Sequence, residues 1–242
     1  KPKNKNFLND IKKIVKNKNI NILFPGSDEE AIKLSLNKKK INTFIPSPEI
    51  KKLKFIYNKF NTLEKLKKEK LIDIKFDKVS SMTNLKNKIE SYNKSNTDFV
   101  IKPIFSRGGR NVIVVKKSQK TNVLYFNKKR EVQINKNYFN NNQNKFLLQF
   151  KKKFPVILME RMFEPNLDID ILSWKGKLIK YVIRQRIGFQ ASKGSIILKP
   201  NNNIKKLLKK ITKLFNLTGI YDCDFMFDKQ KTPILIELNP RI

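Results

Sequence analysis

The sequence predicts an α/β chain. Three observations carry that prediction: short apolar runs of strand length, amphipathic stretches with helical spacing between them, and a strand–helix–strand start. Residues 20–24 (Ile-Asn-Ile-Leu-Phe) read as a strand ended by Pro25-Gly26. Ser27-Asp28-Glu29-Glu30 then reads as a helix start, with Ser27 as the cap and Glu30 three residues on. Residues 41–45 read as a second strand, stopped by Pro46 and Pro48. That order gives parallel α/β logic, and residues 1–48 read as the tail of a larger domain.

Residues 49–70 carry Leu53, Ile56, Tyr57, Phe60, Leu63 and Leu66 at helical spacing, and 83–93 read as a second short helix. Residues 98–104 and 111–116 are strands, joined by the tight glycine turn Ser106-Arg107-Gly108-Gly109-Arg110. The polar, Asn-rich stretch 118–145 reads as a loop around one short helix. Strands follow at 156–160, 167–173 and 177–183, then a loop over 188–195 and an amphipathic helix over 203–215. The chain closes on two apolar strands with Gly219 before the first and Lys231 and Pro233 between them, a hairpin pattern.

Composition bounds the function. The chain has 242 residues, enough for one large or two small domains, and 39% are hydrophobic, enough for a core. No apolar run approaches the ~20 residues of a membrane span, and the Lys-rich start lacks the apolar core of a signal peptide. One cysteine, Cys223, excludes an internal disulfide and a cysteine metal cluster. The expected compartment is the cytoplasm. Without a histidine there is no imidazole base and no His-ligated zinc. The formal charge of +34 comes mostly from lysines scattered end to end. It predicts a solvated basic surface that meets nucleic acid non-specifically, with no membrane partner. A dedicated nucleic-acid module would concentrate its charge on a stripe with stacking aromatics. Arginine is scarce, at seven positions, and five fall in motifs: Arg107, Arg110, Arg184, Arg186 and Arg241. Those positions fit sites that need a planar fork for phosphate or carboxylate.

Several motifs point to nucleotide chemistry. Lys102 sits late in an apolar strand, where an unpaired ammonium is costly and a phosphate would be a suitable partner. Gly108 and Gly109 allow close backbone approach to phosphates, although no Walker lysine follows. Glu160-Arg161-Met162-Phe163 ends an apolar strand in a way that can meet an adenine edge and face. Asn166, Asp168 and Asp170 share a sheet face by period two, open to ribose hydroxyls or Mg²⁺, or to plain solvent. Arg184 and Arg186 also share a face and fit a phosphoryl group or a substrate carboxylate. Asp222 and Asp224 share a face, as do Glu237 and Asn239. Such oxygen donors repel one another without a cation and suit a hard one such as Mg²⁺.

In this order the motifs resemble the ATP-grasp superfamily, especially carbamoyl-phosphate-synthetase-like carboxylate–amine ligases. The run from Ile22 through Pro25-Gly26 to Glu30 looks like the end of its preceding α/β domain. Asn58-Lys59 with Thr62 looks like its Asp-Lys…Thr helix. Val100-Ile-Lys102-Pro with Gly108-Gly109 resembles its ATP-binding lysine and flexible loop, and Leu158-Met-Glu160 its hinge. Glu237-Leu-Asn239-Pro-Arg241 is similar to its Glu-x-Asn-Pro-Arg signature.

The resemblance implies an ATP-grasp fold: two α/β subdomains clamping ATP, after a partial Rossmann-like domain. The expected division is a front domain over 1–48, a helical connector over 49–96, a lid over 97–157 and a C-terminal subdomain with the metal site over 158–242. A substrate carboxylate would attack the γ-phosphate, and an amine or similar nucleophile would capture the acyl phosphate. Lys59, Lys102, Gly108 and Gly109 would hold phosphates. Glu160, Arg161 and Phe163 would meet adenine. Asp224, Glu237 and Asn239 would bind Mg²⁺, and Arg184 and Arg241 would lie near the reacting phosphate. The ribose acid falls on Asn166, with Asp168 as its substitute. Asn58 stands for the usual aspartate and Asn111 for a common glycine. The chain stops at Ile242, where the family continues, so the resemblance implies either a piece of a longer enzyme or remaining parts that come from elsewhere. An inactive subunit of the same fold is the alternative.

Overall fold

In a computed structural model the structure describes residues 2–106, 108–126, 130–187 and 194–241. Arg107 and most of the expected 188–195 loop lie outside the described residues. Two sheets organise the described residues. The first is a six-stranded sheet made of β1 (Phe76–Val79), β2 (Phe99–Pro103), β3 (Val112–Lys116), β4 (Val123–Phe126), β5 (Glu131–Asn135) and β6 (Val156–Glu160). Its spatial order is β1-β6-β2-β3-β5-β4, with only β3 and β5 parallel. The second is a five-stranded antiparallel sheet of β7 (Phe163–Trp174), β8 (Lys177–Arg186), β9 (Ser195–Leu198), β10 (Gly219–Phe227) and β11 (Pro233–Asn239). Its order is β11-β10-β7-β8-β9.

Strand alternation decides which residues face which layer. In β2, Phe99 and Ile101 join one core with Leu85, Ile89 and Tyr92 of helix α5 (Met82–Lys94). Val100 points the other way, onto the core shared with the second sheet, and Lys102 lies on that same side. In β7, Leu167, Ile169 and Ile171 are buried beneath helix α8 (Asn202–Phe215), leaving Asp168 and Asp170 on the opposite face. Helix α8 presents Ile204, Leu208, Ile211 and Phe215 to that core. It is capped by Asn201, whose side chain accepts from Asn203 and Ile204 N–H, and it ends on Asn216 at φ 48°.

Several local expectations change. The strands expected over 20–24 and 41–45 reduce to one parallel bridge, Ile22 to Phe44, so no Rossmann-like sheet forms among the described residues. Between them, α2 (Asp28–Leu36) forms as read. Ser27 accepts from Glu30 N–H, and the Glu30 carboxylate reaches back to Gly26 N–H at 2.8 Å. An unforeseen helix, α1 (Phe7–Asn17), buries Phe7 and Val15 against Leu34, Ile41 and Ile45.

The helix expected over 49–70 is two, α3 (Ile50–Tyr57) and α4 (Lys59–Lys68), broken at Asn58. Strand β1 follows within the expected helical connector and pairs with β6. The 118–145 stretch is not a loop: it holds β4, β5, α6 (Lys136–Asn141) and α7 (Gln143–Leu147). Their short apolar alternation, Val132 and Ile134 inward, is hidden among asparagines. No helix of the described residues is long and apolar enough to cross a membrane.

Candidate functional site

The candidate site is the face of the five-stranded sheet that carries its acids, together with the side of β2 that bears Lys102. Antiparallel pairing of β10 with β11 sets Asp222 opposite Asn239 and Asp224 opposite Glu237. Pairing of β10 with β7 sets Asp222 opposite Asp170 and Asp224 opposite Asp168. Two rows of oxygen donors therefore cross three strands. The β10–β11 register shifts directly after Asp224, so the opposition of Asp222 to Asn239 and Asp224 to Glu237 lies on one side of the irregularity.

Arginines from β8 neutralise part of this face by reaching diagonally. Arg184 donates through Nε and a terminal nitrogen, each at 2.8 Å, to the two oxygens of Asp170. Arg186 donates to both oxygens of Asp168, through Nε at 2.8 Å and through the terminal nitrogen, which also reaches Asp224 at 2.9 Å. These forks are the charge-assisted, bidentate kind that lysine cannot supply. Burial, with the neighbouring carboxylate Glu237, pushes the Asp224 carboxyl well above the usual range. Burial pushes Asp222 up to about 6, with Asp168 adding to the effect. Asn239 is only 5% exposed, and its side chain makes no hydrogen bond to a described residue. Asp168, Asp222 and Asp224 bring carboxylate oxygens within 4.8 Å of one another. Asp224 and its cross-strand partner Glu237, with Asn239 opposite Asp222, offer oxygen donors only, the ligand type a hard divalent cation takes.

Lysines face the acids. Lys59 is the first residue of α4, which Asn58 caps by accepting from Asn61 N–H. Asparagine does this as well as the aspartate expected there. The Lys59 ammonium is 5% exposed, lies 3.2 Å from Glu237 Oε1, and donates to the carbonyl of Ser106 at the start of the glycine turn. Lys102 is 6% exposed, within the field of Glu237, Asp224 and Lys59. Burial draws its ammonium down to about 8. Gly108 and Gly109 hold φ of 59° and 66°. Asn111 closes the turn at φ 58°, which asparagine tolerates, and its side chain accepts from Lys153 at 2.6 Å. That accounts for asparagine where a glycine was expected.

The expected hinge is held by its own contacts. The Glu160 carboxylate accepts from Lys75 N–H at 2.8 Å, and Glu160 N–H donates to Lys75 carbonyl. Arg161 N–H donates to Asp98 carbonyl, and its guanidinium lies over the Phe163 ring at 5.1 Å. Asn166 Oδ1 is buried without a hydrogen bond, whereas both Asp168 oxygens are held by Arg186.

Sequence reasoning missed Asp28 as a site residue. It was read only as part of a helix start, yet α2 delivers its carboxylate, 2% exposed, to 3.4 Å from Arg241 Nε. On the other side Arg241 lies 3.6 Å from Asp222. Nothing in the local sequence separates Asp28 from Glu29 or Glu30. The front segment reaches this position because Phe44 packs on Trp174 at 5.6 Å and the Pro46 backbone crosses Gly219.

Residues 152–242 match the family model described as "ATP-grasp in the biosynthetic pathway with Ter operon". Solved structures match over nearly the whole chain. N5-carboxyaminoimidazole synthetase from Staphylococcus aureus, complexed with ADP, superposes with a TM-score of 0.67 at 14% identity, over 100% of this chain and 58% of that one. This is the ATP-grasp fold. The biotin carboxylase domain of 2-oxoglutarate carboxylase from Hydrogenobacter thermophilus, solved with MgADP and bicarbonate, gives 0.66 at 15% identity, over 97% of this chain and 51% of that one. D-alanine–D-alanine ligase from Bacillus anthracis, complexed with ATP, gives 0.60 at 13% identity, over 95% and 72%. The chain spans about half the length of the first structures it matches. No curated protein matches the sequence.

Proposed function

We propose that this ATP-grasp chain carries the nucleotide and metal site of an ATP- and Mg²⁺-dependent ligase that activates a carboxylate as an acyl phosphate for attack by an amine. The single observation that carries the reading is the opposition of Lys59 and Lys102 to the row Asp224–Glu237. Cations on one wall and oxygen donors on the other are what a metal–triphosphate needs. The solved structures of the same fold are described with ADP, ATP or MgADP, which supports the assignment.

In this reading Asp224, Glu237 and Asn239 hold Mg²⁺, which would supply charge neutralisation at the phosphates. Lys59 and Lys102 hold phosphate oxygens, with the turn at Gly108 and Gly109 closing over them. Val100, on the Lys102 side of β2, gives adenine an apolar wall, and the hinge at Glu160, Arg161 and Phe163 borders it. Of the two ribose candidates, Asn166 carries the acceptor that Arg186 leaves free. Arg241, and Arg184 beside it, take the carboxylate or the acyl phosphate. The chemistry is positioning and electrostatics, and needs no histidine. We place the front segment at 1–48, the connector at 49–96, the lid at 97–157 and the metal-bearing part at 158–242, with β1 and α5 of the connector completing the lid's layer.

The test is nucleotide binding with and without Mg²⁺, compared with Glu237→Ala and Lys102→Ala. Loss of Mg²⁺-dependent affinity in both variants is expected. Unchanged binding in both rejects the site.

A further inference from the structure

Among the described residues three lysines are buried: Lys59, Lys102 and Lys136. A lysine is almost never buried unless it is paired. Lys59 and Lys102 face the acid row, which accounts for them. Lys136, 5% exposed, lies elsewhere. It is the first residue of α6, which with α5 covers the sheet face opposite Lys102. Its ammonium donates to one neutral group, the Thr97 carbonyl at 2.9 Å, and makes no ion pair with a described residue. An ammonium has three donors, so this one has capacity to spare. Burial draws it below the ordinary lysine range, with Asp98 opposing the shift and Lys117 adding to it.

Lys136 lines a cavity of about 330 Å³ between the end of α5, the start of α6 and the turn after β3. That volume suits a small ligand. The other walls are five asparagines and Lys117, with no apolar side chain and no carboxylate among them. The walls are held in place. Asn93 Nδ2 of α5 donates to Asn140 Oδ1 of α6 at 3.0 Å, and Asn135 Nδ2 donates to the Gln119 carbonyl at 2.8 Å. Lys117 N–H donates to Asp98 Oδ1 at 3.1 Å. The ligand's chemistry follows from this lining. Two ammoniums without a carboxylate repel a metal ion. Walls without apolar or aromatic side chains give an acyl chain or a nucleobase nothing to pack on. A phosphate group carries about −1.5 to −2 charges and acceptor oxygens for both ammoniums. Carboxamides donate and accept, and so do the hydroxyls of a polyol. We infer that this cavity is a second ligand site, built for a small phosphorylated polyol. The inference is independent of the ligase reading, because the cavity shares no residue with the acid row or with the lysines facing it.

The experiment uses the full chain, labelled with ¹⁵N, and reads asparagine Nδ2–H signals while glucose 6-phosphate or glycerol 3-phosphate is added. Glucose, glycerol and inorganic phosphate at matched ionic strength are the controls. At least one phosphorylated polyol is expected to shift the Asn93 and Asn140 signals saturably, about tenfold or more tighter than any control. Asn203 of α8, exposed and close in sequence to Lys205 and Lys206, should not move. Lys136→Met keeps the buried stem and removes the charge. It should weaken binding by about tenfold or more, the scale of one charge-assisted hydrogen bond. Lys117→Gln, at an exposed position, should weaken it by about threefold. No saturable shift, inorganic phosphate binding as tightly as the polyols, an equal shift at Asn203, or an unchanged titration in either folded variant overturns the inference. Lys117→Gln decides even if Lys136→Met does not fold.

Discussion

Lys59, the first residue of a helix, and Glu237, on the last strand, lie 3.2 Å apart although 178 residues separate them in the chain. The pair joins the glycine turn, through the Ser106 carbonyl, to the proposed metal donors. Replacing Lys59 by Met leaves Glu237 partly buried without its cation. We expect a loss of about 1–3 kcal/mol in stability, since the carboxylate keeps some solvent. Denaturant unfolding measures it, and Lys59→Met with Glu237→Gln should recover part of the loss. No recovery in the double variant would mean the contact carries no energy.

Lys102 predicts a pH dependence. Burial lowers its folded value to about 8 from the ordinary 10.5. The folded chain therefore releases this proton first, and the unfolded chain binds more protons between those values. Stability from this group is lowest below pH 8 and rises until about pH 10.5, by on the order of 1–3 kcal/mol. The general loss of positive charge also stabilises the chain as pH rises, so the comparison is with Lys102→Met. The difference between the two proteins should change across pH 8–10.5 and stay flat below it.

Arg186 spans Asp168 and Asp224. Arg186→Gln removes the only guanidinium on those carboxylates among the described residues. Thermal unfolding should fall by several degrees, as for a loss of about 2 kcal/mol in a domain of this size. Millimolar Mg²⁺ should restore part of it by binding the freed acids of the folded state. Equal melting with Mg²⁺ and with chelator would contradict a divalent site on this face.

Asn58 caps α4 directly before Lys59. Asn58→Asp should be neutral within a few tenths of a kcal/mol, whereas Asn58→Ala should cost about 1 kcal/mol. Urea midpoints of the three proteins test this. A cost for aspartate equal to that for alanine would show that the cap is not what holds the residue.

Gly219 begins β10 at φ 116°, and a Cβ there would sit 2.1 Å from the Pro46 carbonyl. Gly219→Ala must displace the front segment or the strand. We expect a loss of about 2–4 kcal/mol, or failure to accumulate as folded protein. Calorimetry of the purified variant is the check, and a melting temperature within one degree of wild type would exclude the packing.

The legible parts of the molecule were those with local signals. Period two alone placed Asp168 with Asp170, Asp222 with Asp224 and Glu237 with Asn239 on shared faces, and the structure has those faces. The helix over 203–215 was equally plain from its apolar stripe. Strands β4 and β5 were hidden because four and five residues of alternation in an Asn-rich stretch resemble a loop. Strand β9 begins at the last residue of the expected loop and, at four residues, is too short to announce itself.

Residue type and spacing by themselves determined the strand and helix segments around the motifs and the chemistry each side chain offers. Only tertiary structure decided that β10 lies between β11 and β7, which lines the acids up in rows. It also decided that Arg184 and Arg186 reach diagonally to Asp170 and Asp168, and that a helix from the front segment brings Asp28 to Arg241. The physical reason is range. Alternation and capping act over a few residues, whereas strand order and layer packing follow from apolar burial across the whole chain, which no short window of sequence encodes.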